Sequence, residues 1–155
     1  MDPLKQYVTQ ELPLAIAFEE GEASGVGADA LILFVTPEEL ASGEWTDQAG
    51  VTLPDPLVEA VRGLAGRGRF AAGLGETEAV STLGLMPGYQ AILLCGLGEA
   101  ARASADAWRD AGVYAARAAL GLRLERLAAP LPRADAGRAG ELGARVQALA
   151  EGLWL

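Results

Sequence analysis

The chain contains no histidine. This excludes Ser-His and Cys-His nucleophile pairs within it, and every zinc site that uses imidazole. There is one cysteine, Cys95. A disulfide within the chain is therefore impossible, thiolate zinc sites are excluded, and nothing points to secretion. Any metal would have to sit among carboxylates. Long apolar runs are also missing. The longest, Ala28 to Val35 with Asp29 inside it, is far too short to cross a bilayer. Met1 to Gln10 carries Lys5 as its one base and no apolar stretch, so it does not read as a signal peptide. A cytoplasmic protein with no membrane partner is the expectation. Positive charge is scarce as well: 12 bases face 21 acids, for a formal charge of -9. Nucleic-acid binding rests on bases that neutralise phosphates, so a nucleic-acid partner is not expected. Arg62, Arg67 and Arg69 cluster locally and read as a solvated, glycine-rich loop.

What remains is a globular composition, 51% hydrophobic over 155 residues, which is one domain's worth. Roughly 70% of the unfolded surface of such a chain is buried on folding, so a core needs neither disulfide nor metal. Leu12 to Phe18 reads as a strand. Ala30 to Val35 is a continuous apolar run between Gly27 and Pro37, the pattern of a strand buried on both faces. Residues 36–53 read as loop or a short helical turn. Asp55-Pro56 reads as a helix start, with Asp55 as the cap. Leu57, Val61 and Leu64 then share a face, and Gly66 and Gly68 end the helix. Thr77 to Leu83 reads as a strand, Met86-Pro87-Gly88 as a turn, and Gln90 to Cys95 as a second buried strand, antiparallel to the first. Ser104 can cap a helix to Leu120 with Trp108, Ala111, Gly112, Ala115 and Ala119 on one face, small enough to lie close to a sheet. Leu124 to Pro130 reads as a last strand. Asp135 to Gly152 reads as a last helix, with Leu142, Val146, Leu149, Ala150 and Leu153 along its apolar face and glycines at 137, 140 and 143 that weaken its start. Helices interleaved with buried strands, one pair a hairpin, give a three-layer α/β/α domain with a mixed, mostly parallel sheet.

Few motifs carry chemistry. Ile92-Leu93-Leu94-Cys95-Gly96-Leu97-Gly98 runs from a strand into a Gly-x-Gly loop, and such loops can cradle phosphate. The third glycine of a dinucleotide fingerprint is replaced by Ala101, so Gly96 and Gly98 read first as a tight turn. Gly73-Leu74-Gly75-Glu76 repeats the tetrapeptide at 96–99, a repetition attributed to chance among 20 glycines. Glu19, Glu20 and Glu22 lack the alternating spacing of a calcium loop. Cys95, inside an apolar strand, reads as buried and inert. No two carboxylates form an acid/base couple, and no catalytic or metal-binding residue is assigned. The chain closes on Leu153-Trp154-Leu155. Large apolar residues there suggest a chain cut from a longer one.

Taken together, several segments resemble the N-terminal domain of the leucyl (cytosol) aminopeptidase family. Ala28 to Val35 resembles its first buried strand. Phe70 with Gly73, Gly75 and Glu76 resembles a Phe-x-Gly-Lys-x-Gly-Glu turn, although no lysine is present. Ala91 to Gly98 resembles an Arg-Val-Leu-Leu-Val-Gly-Leu-Gly strand and loop. Ala107-Trp108-Arg109-Asp110-Ala111-Gly112 with Ala115-Ala116-Arg117 resembles the helix that follows. Ala150 to Leu155 resembles the end of the domain. The stretch 133–145, rich in arginine and glycine, departs from the pattern.

The resemblance implies a macro-domain-like fold over residues 1–155 and a parent enzyme that removes N-terminal residues, often leucine, from peptides. In that family two zinc or manganese ions and all catalytic residues belong to a C-terminal domain, here the implied partner. The parent is a hexamer, and this chain is expected to hold no cofactor and no activity. Two other readings remain open: a stand-alone module binding ADP-ribose or a related nucleotide through Gly96 and Gly98, and DNA binding, which the net charge disfavours.

Overall fold

A computed structural model of the chain describes residues 28–42, 47–48, 51–86, 88–99, 104–129 and 139–154. The strand expected over 12–18 and the acidic group Glu19, Glu20 and Glu22 lie outside them. The elements in order are β1 (Ala30–Val35), α1 (Pro37–Ser42), β2 (Asp47–Gln48), β3 (Val51–Thr52), α2 (Asp55–Gly66), β4 (Thr77–Ser81), β5 (Ala91–Gly96), α3 (Ala105–Gly121), β6 (Leu127–Ala128) and α4 (Ala139–Trp154).

The main sheet has the order β4-β5-β1-β6. β1 is parallel to both β5 and β6, while β4 is antiparallel to β5. The sheet is thus mixed and mostly parallel, with the expected hairpin at one side. All six residues of β1 are buried because both sheet faces are covered. Leu31, Leu33, Val35, Ile92 and Leu94 form one cluster with Leu57, Val58 and Val61 of α2. Ile32, Phe34, Leu93 and Cys95 form the other with Trp108, Ala111 and Ala115 of α3 and Ala148 and Leu149 of α4. The period-two alternation of the strands assigns these faces. Three layers result, as expected. Among the described residues no helix is long and apolar enough to cross a membrane.

Several boundaries differ from expectation, each for a local reason. Residues 36–53 hold the short helical segment that the sequence allowed for, and a ribbon besides. Thr36 Oγ1 accepts the Glu39 N–H, which caps α1 with Pro37 in its first position, and β2 and β3 pair as a short antiparallel ribbon. Asp55 is already helical; the cap position of α2 is Pro54, with no side-chain hydrogen bond. β4 stops at Ser81 because Leu83 and Gly84 both take positive φ, 50° and 78°. With the Leu85 N–H donating to the Thr82 carbonyl, this is the signature of a type I′ turn. Thr82 Oγ1 donates to the Tyr89 carbonyl at 2.7 Å and closes the rest of the connection. β6 is two residues long rather than seven.

α3 begins as expected, with Ser104 Oγ accepting the Ala107 N–H. Its small face does more than approach the sheet. A Cβ on Gly112 would lie 2.8 Å from the Leu149 carbonyl oxygen, and one on Gly152 would lie 2.0 Å from that of Arg109. The glycines therefore let α3 and α4 cross in backbone contact. Between residues 144 and 153 of α4 the buried ones are Ala148, Leu149 and Gly152. Leu149 lies on the expected apolar face, while Val146, Ala150 and Leu153 of that face are half-buried.

Candidate functional site

The Gly-x-Gly loop leaves β5 at the carboxyl end of the parallel strands, where open α/β sheets present their loops. Its three N–H groups are already used. Gly96 donates to the Glu76 carbonyl at 2.9 Å, Leu97 to that of Val35 at 2.9 Å, and Gly98 to that of Ala72 at 3.0 Å. The first two bonds continue the ladders on either side of β5. The third ties the loop to the glycine-rich turn. Donors spent in this way do not face an incoming phosphate.

The two Gly-Leu-Gly-Glu segments lie against each other. A Cβ on Gly96 would stand 2.0 Å from the Gly73 carbonyl oxygen and 2.5 Å from the Ala72 carbonyl carbon. Gly98, at φ +77, faces Leu74 at contact distance. The repetition is thus the joint between two loops, a role sequence reading did not assign. Glu76 fastens the turn from within: its carboxylate accepts the Ala71 N–H at 2.8 Å, and its own N–H donates to the Gly73 carbonyl. Ala72, fully buried, sits at φ 59. Aligning Phe70 and Glu76 with the seven-residue turn quoted above places Ala72 at its first glycine, which suits a left-handed backbone.

The segments around residues 109 and 151 also meet. Arg109 Nε donates to Glu151 at 3.0 Å and its Nη1 to Asp106 at 2.6 Å. The two carboxylates hold the guanidinium charged and raise its pKa. The Gln147 amide and the Arg109 guanidinium lower that of Glu151. This exposed clamp sits over the Gly152–Arg109 backbone contact and marks where the two helices cross.

At the opposite end of the sheet, Asp29 accepts the N–H groups of Arg126 and Glu125 at 3.0 and 2.9 Å. These bonds, first that from Arg126, favour the carboxylate and lower its pKa. Asp29 thereby fastens the start of β6 to β1. Cys95 is buried, and desolvation pushes its thiol up to about 12, so it is no nucleophile. Among the described residues no three His, Cys, Asp or Glu side chains are placed to hold a metal ion. The resemblance-bearing residues Gly96, Gly98, Glu76, Arg109 and Glu151 are engaged in packing the domain together.

A family model for the N-terminal domain of the cytosol aminopeptidase family matches residues 32–155. The chain belongs to the cytosol aminopeptidase family. No curated protein matches it. Among solved structures, the macrodomain of Mycobacterium tuberculosis DarG is similar with a TM-score of 0.62 at 17% identity, over 90% of this chain and 90% of that one. A mutant of tomato leucine aminopeptidase is similar with a TM-score of 0.55 at 22% identity, over 86% of this chain. The chain spans 27% of that tomato enzyme's length. Both likenesses concern the fold, and that fold is macro-domain-like.

Proposed function

We propose that this aminopeptidase-family domain is an accessory domain of a metal-dependent leucyl aminopeptidase and performs none of the chemistry itself. The family match over residues 32–155 carries this reading. It is supported by the use of the resemblance-bearing residues as joints between loops and helices. The peptidase chemistry then belongs to a C-terminal catalytic domain, the partner of this one. There, two zinc or manganese ions would activate the water that attacks the peptide carbonyl. Among the described residues no three His, Cys, Asp or Glu side chains are placed to hold such ions. The role left to this domain is assembly of a cytoplasmic hexamer or access of peptides to it. Light scattering of the full-length parent, with and without this domain, tests that role. Loss of the hexamer, or a raised KM for longer peptides at unchanged kcat on leucine p-nitroanilide, is the expected result. Identical mass and kinetics would contradict it.

One observation favours a second reading, a module that binds ADP-ribose or a related nucleotide. The fold is that of a macrodomain over nearly its whole length. Against it stand the spent N–H groups of Gly96, Leu97 and Gly98. A thermal upshift with ADP-ribose that is lost in Gly98→Glu would support it. A flat titration to millimolar ligand ends it.

A further inference from the structure

β4 lies at one side of the main sheet, and among the described residues no strand pairs with its outer edge. The Gly96 N–H donates to the Glu76 carbonyl and the Thr82 N–H to that of Gln90. Antiparallel pairs alternate between bonded and non-bonded, so the bonded pairs between these two are Glu78–Leu94 and Val80–Ile92. The N–H and C=O groups of Thr77, Ala79 and Ser81 consequently point outward, the template on which a further strand forms.

The two faces of this edge differ. Thr77, Ala79 and Ser81 lie opposite Cys95, Leu93 and Ala91, on the face toward α3, where Ala79 and Ser81 are exposed. A groove runs here between the edge and the last turn of α3, lined by Thr77, Glu78 and Ala79 of the strand and by Leu93, Ala118, Gly121 and Leu122. Leu122 is 50% exposed beside it. On the α2 face stand Glu78 and Val80, and Glu78 has no ion-pair partner among the described residues.

We infer that the outer edge of β4 binds an extended peptide as an added strand, with apolar side chains in the α3 groove and a basic side chain opposite Glu78. Main-chain bonds to residues 77, 79 and 81 supply attachment, and the alternate side chains supply selectivity. Charge distinguishes this occupant from a second copy of the chain. Two copies paired about Ala79 would bring both Glu78 carboxylates to one face, between molecules that each carry -9. A basic residue at that position is attracted instead. The inference goes beyond the accessory-domain reading and does not require it.

The test is fluorescence anisotropy of the 155-residue chain with two fluorescein-labelled nine-residue peptides, one alternating Leu and Lys, the other Leu and Glu. The Leu-Lys peptide is expected to bind at least tenfold more tightly. Ala79→Pro removes an outward N–H and leaves the ladder to β5 intact, so it should weaken that binding at least tenfold at unchanged circular dichroism. Glu78→Lys, at a half-buried position of the strand, should reverse the preference between the peptides at unchanged circular dichroism. Absence of binding overturns the inference. So does binding that both variants leave unchanged, which would be general attraction of a cation to an acidic chain. A dimer in sedimentation equilibrium that Ala79→Pro abolishes, with no peptide binding, would make a second copy the occupant and overturn it too.

Discussion

At the scale of single residues, backbone geometry decides which substitutions the domain tolerates. Gly96→Ala would drive a methyl group into the carbonyls of residues 72 and 73, with no flexible side chain to yield. We expect a loss of about 3 kcal/mol or more in urea unfolding. Leu83 presents the opposite case. It is 83% exposed and holds φ 50 in a turn that favours Asn or Gly. Leu83→Asn gives up almost no burial, and a gain of about 0.5–1 kcal/mol is expected by the same measurement. Asp29 sets a pH dependence. Its folded pKa lies below the unfolded 3.8, so its contribution is present above 3.8 and lost as pH falls through the lower folded value. Asp29→Asn keeps an acceptor oxygen without the charge. The stability gap between wild type and this variant should therefore narrow as pH is lowered from 7 to below 3.8 in thermal melts, and a constant gap would show that the carboxylate's charge plays no part.

At the scale of elements, the crossing of α3 and α4 leaves no room for an added side chain. Gly152→Ala places Cβ 2.0 Å from the Arg109 carbonyl oxygen and must push the helices apart. It should cost about 2–3 kcal/mol. Gly121, at the end of α3, has nothing within 4 Å of its would-be Cβ, and Gly121→Ala should gain a few tenths of a kcal/mol to about 1. Removing the Arg109 side chain should cost less than Gly152→Ala, because an ion pair this exposed is screened by solvent. The order of these three midpoints in one denaturation series checks the account. Elements whose signal is a long uniform pattern were legible in the sequence: β1 from its apolar run, α3 from its Ser104 cap and periodic small face, β4 and β5 as a hairpin. The turn at 82–85 was not, because Leu83 is an unusual residue for a left-handed position and Gly84 alone does not fix a turn type. The interlock of 73–76 with 96–99 was invisible for another reason. A glycine's need for space is set by what folds against it, far away in sequence. The same holds for Gly152, and for Gly112, whose small-residue face read as an approach to the sheet alone.

At the scale of the whole molecule, the macro-domain-like body is built from side chains that hold it together. The Gly-x-Gly loop, which by sequence could have cradled a phosphate, extends the sheet and locks onto the neighbouring turn. The thiol of Cys95 is closed within an apolar layer. In this account the family's chemistry belongs to the catalytic partner domain. The measurement that tests it most directly is hydrolysis of leucine p-nitroanilide by the purified 155-residue chain, with manganese or zinc supplied and with none. No release of p-nitroaniline above the buffer blank is expected under any of the three conditions. Release that scales with the chain's concentration would place peptidase chemistry within these residues and contradict the account.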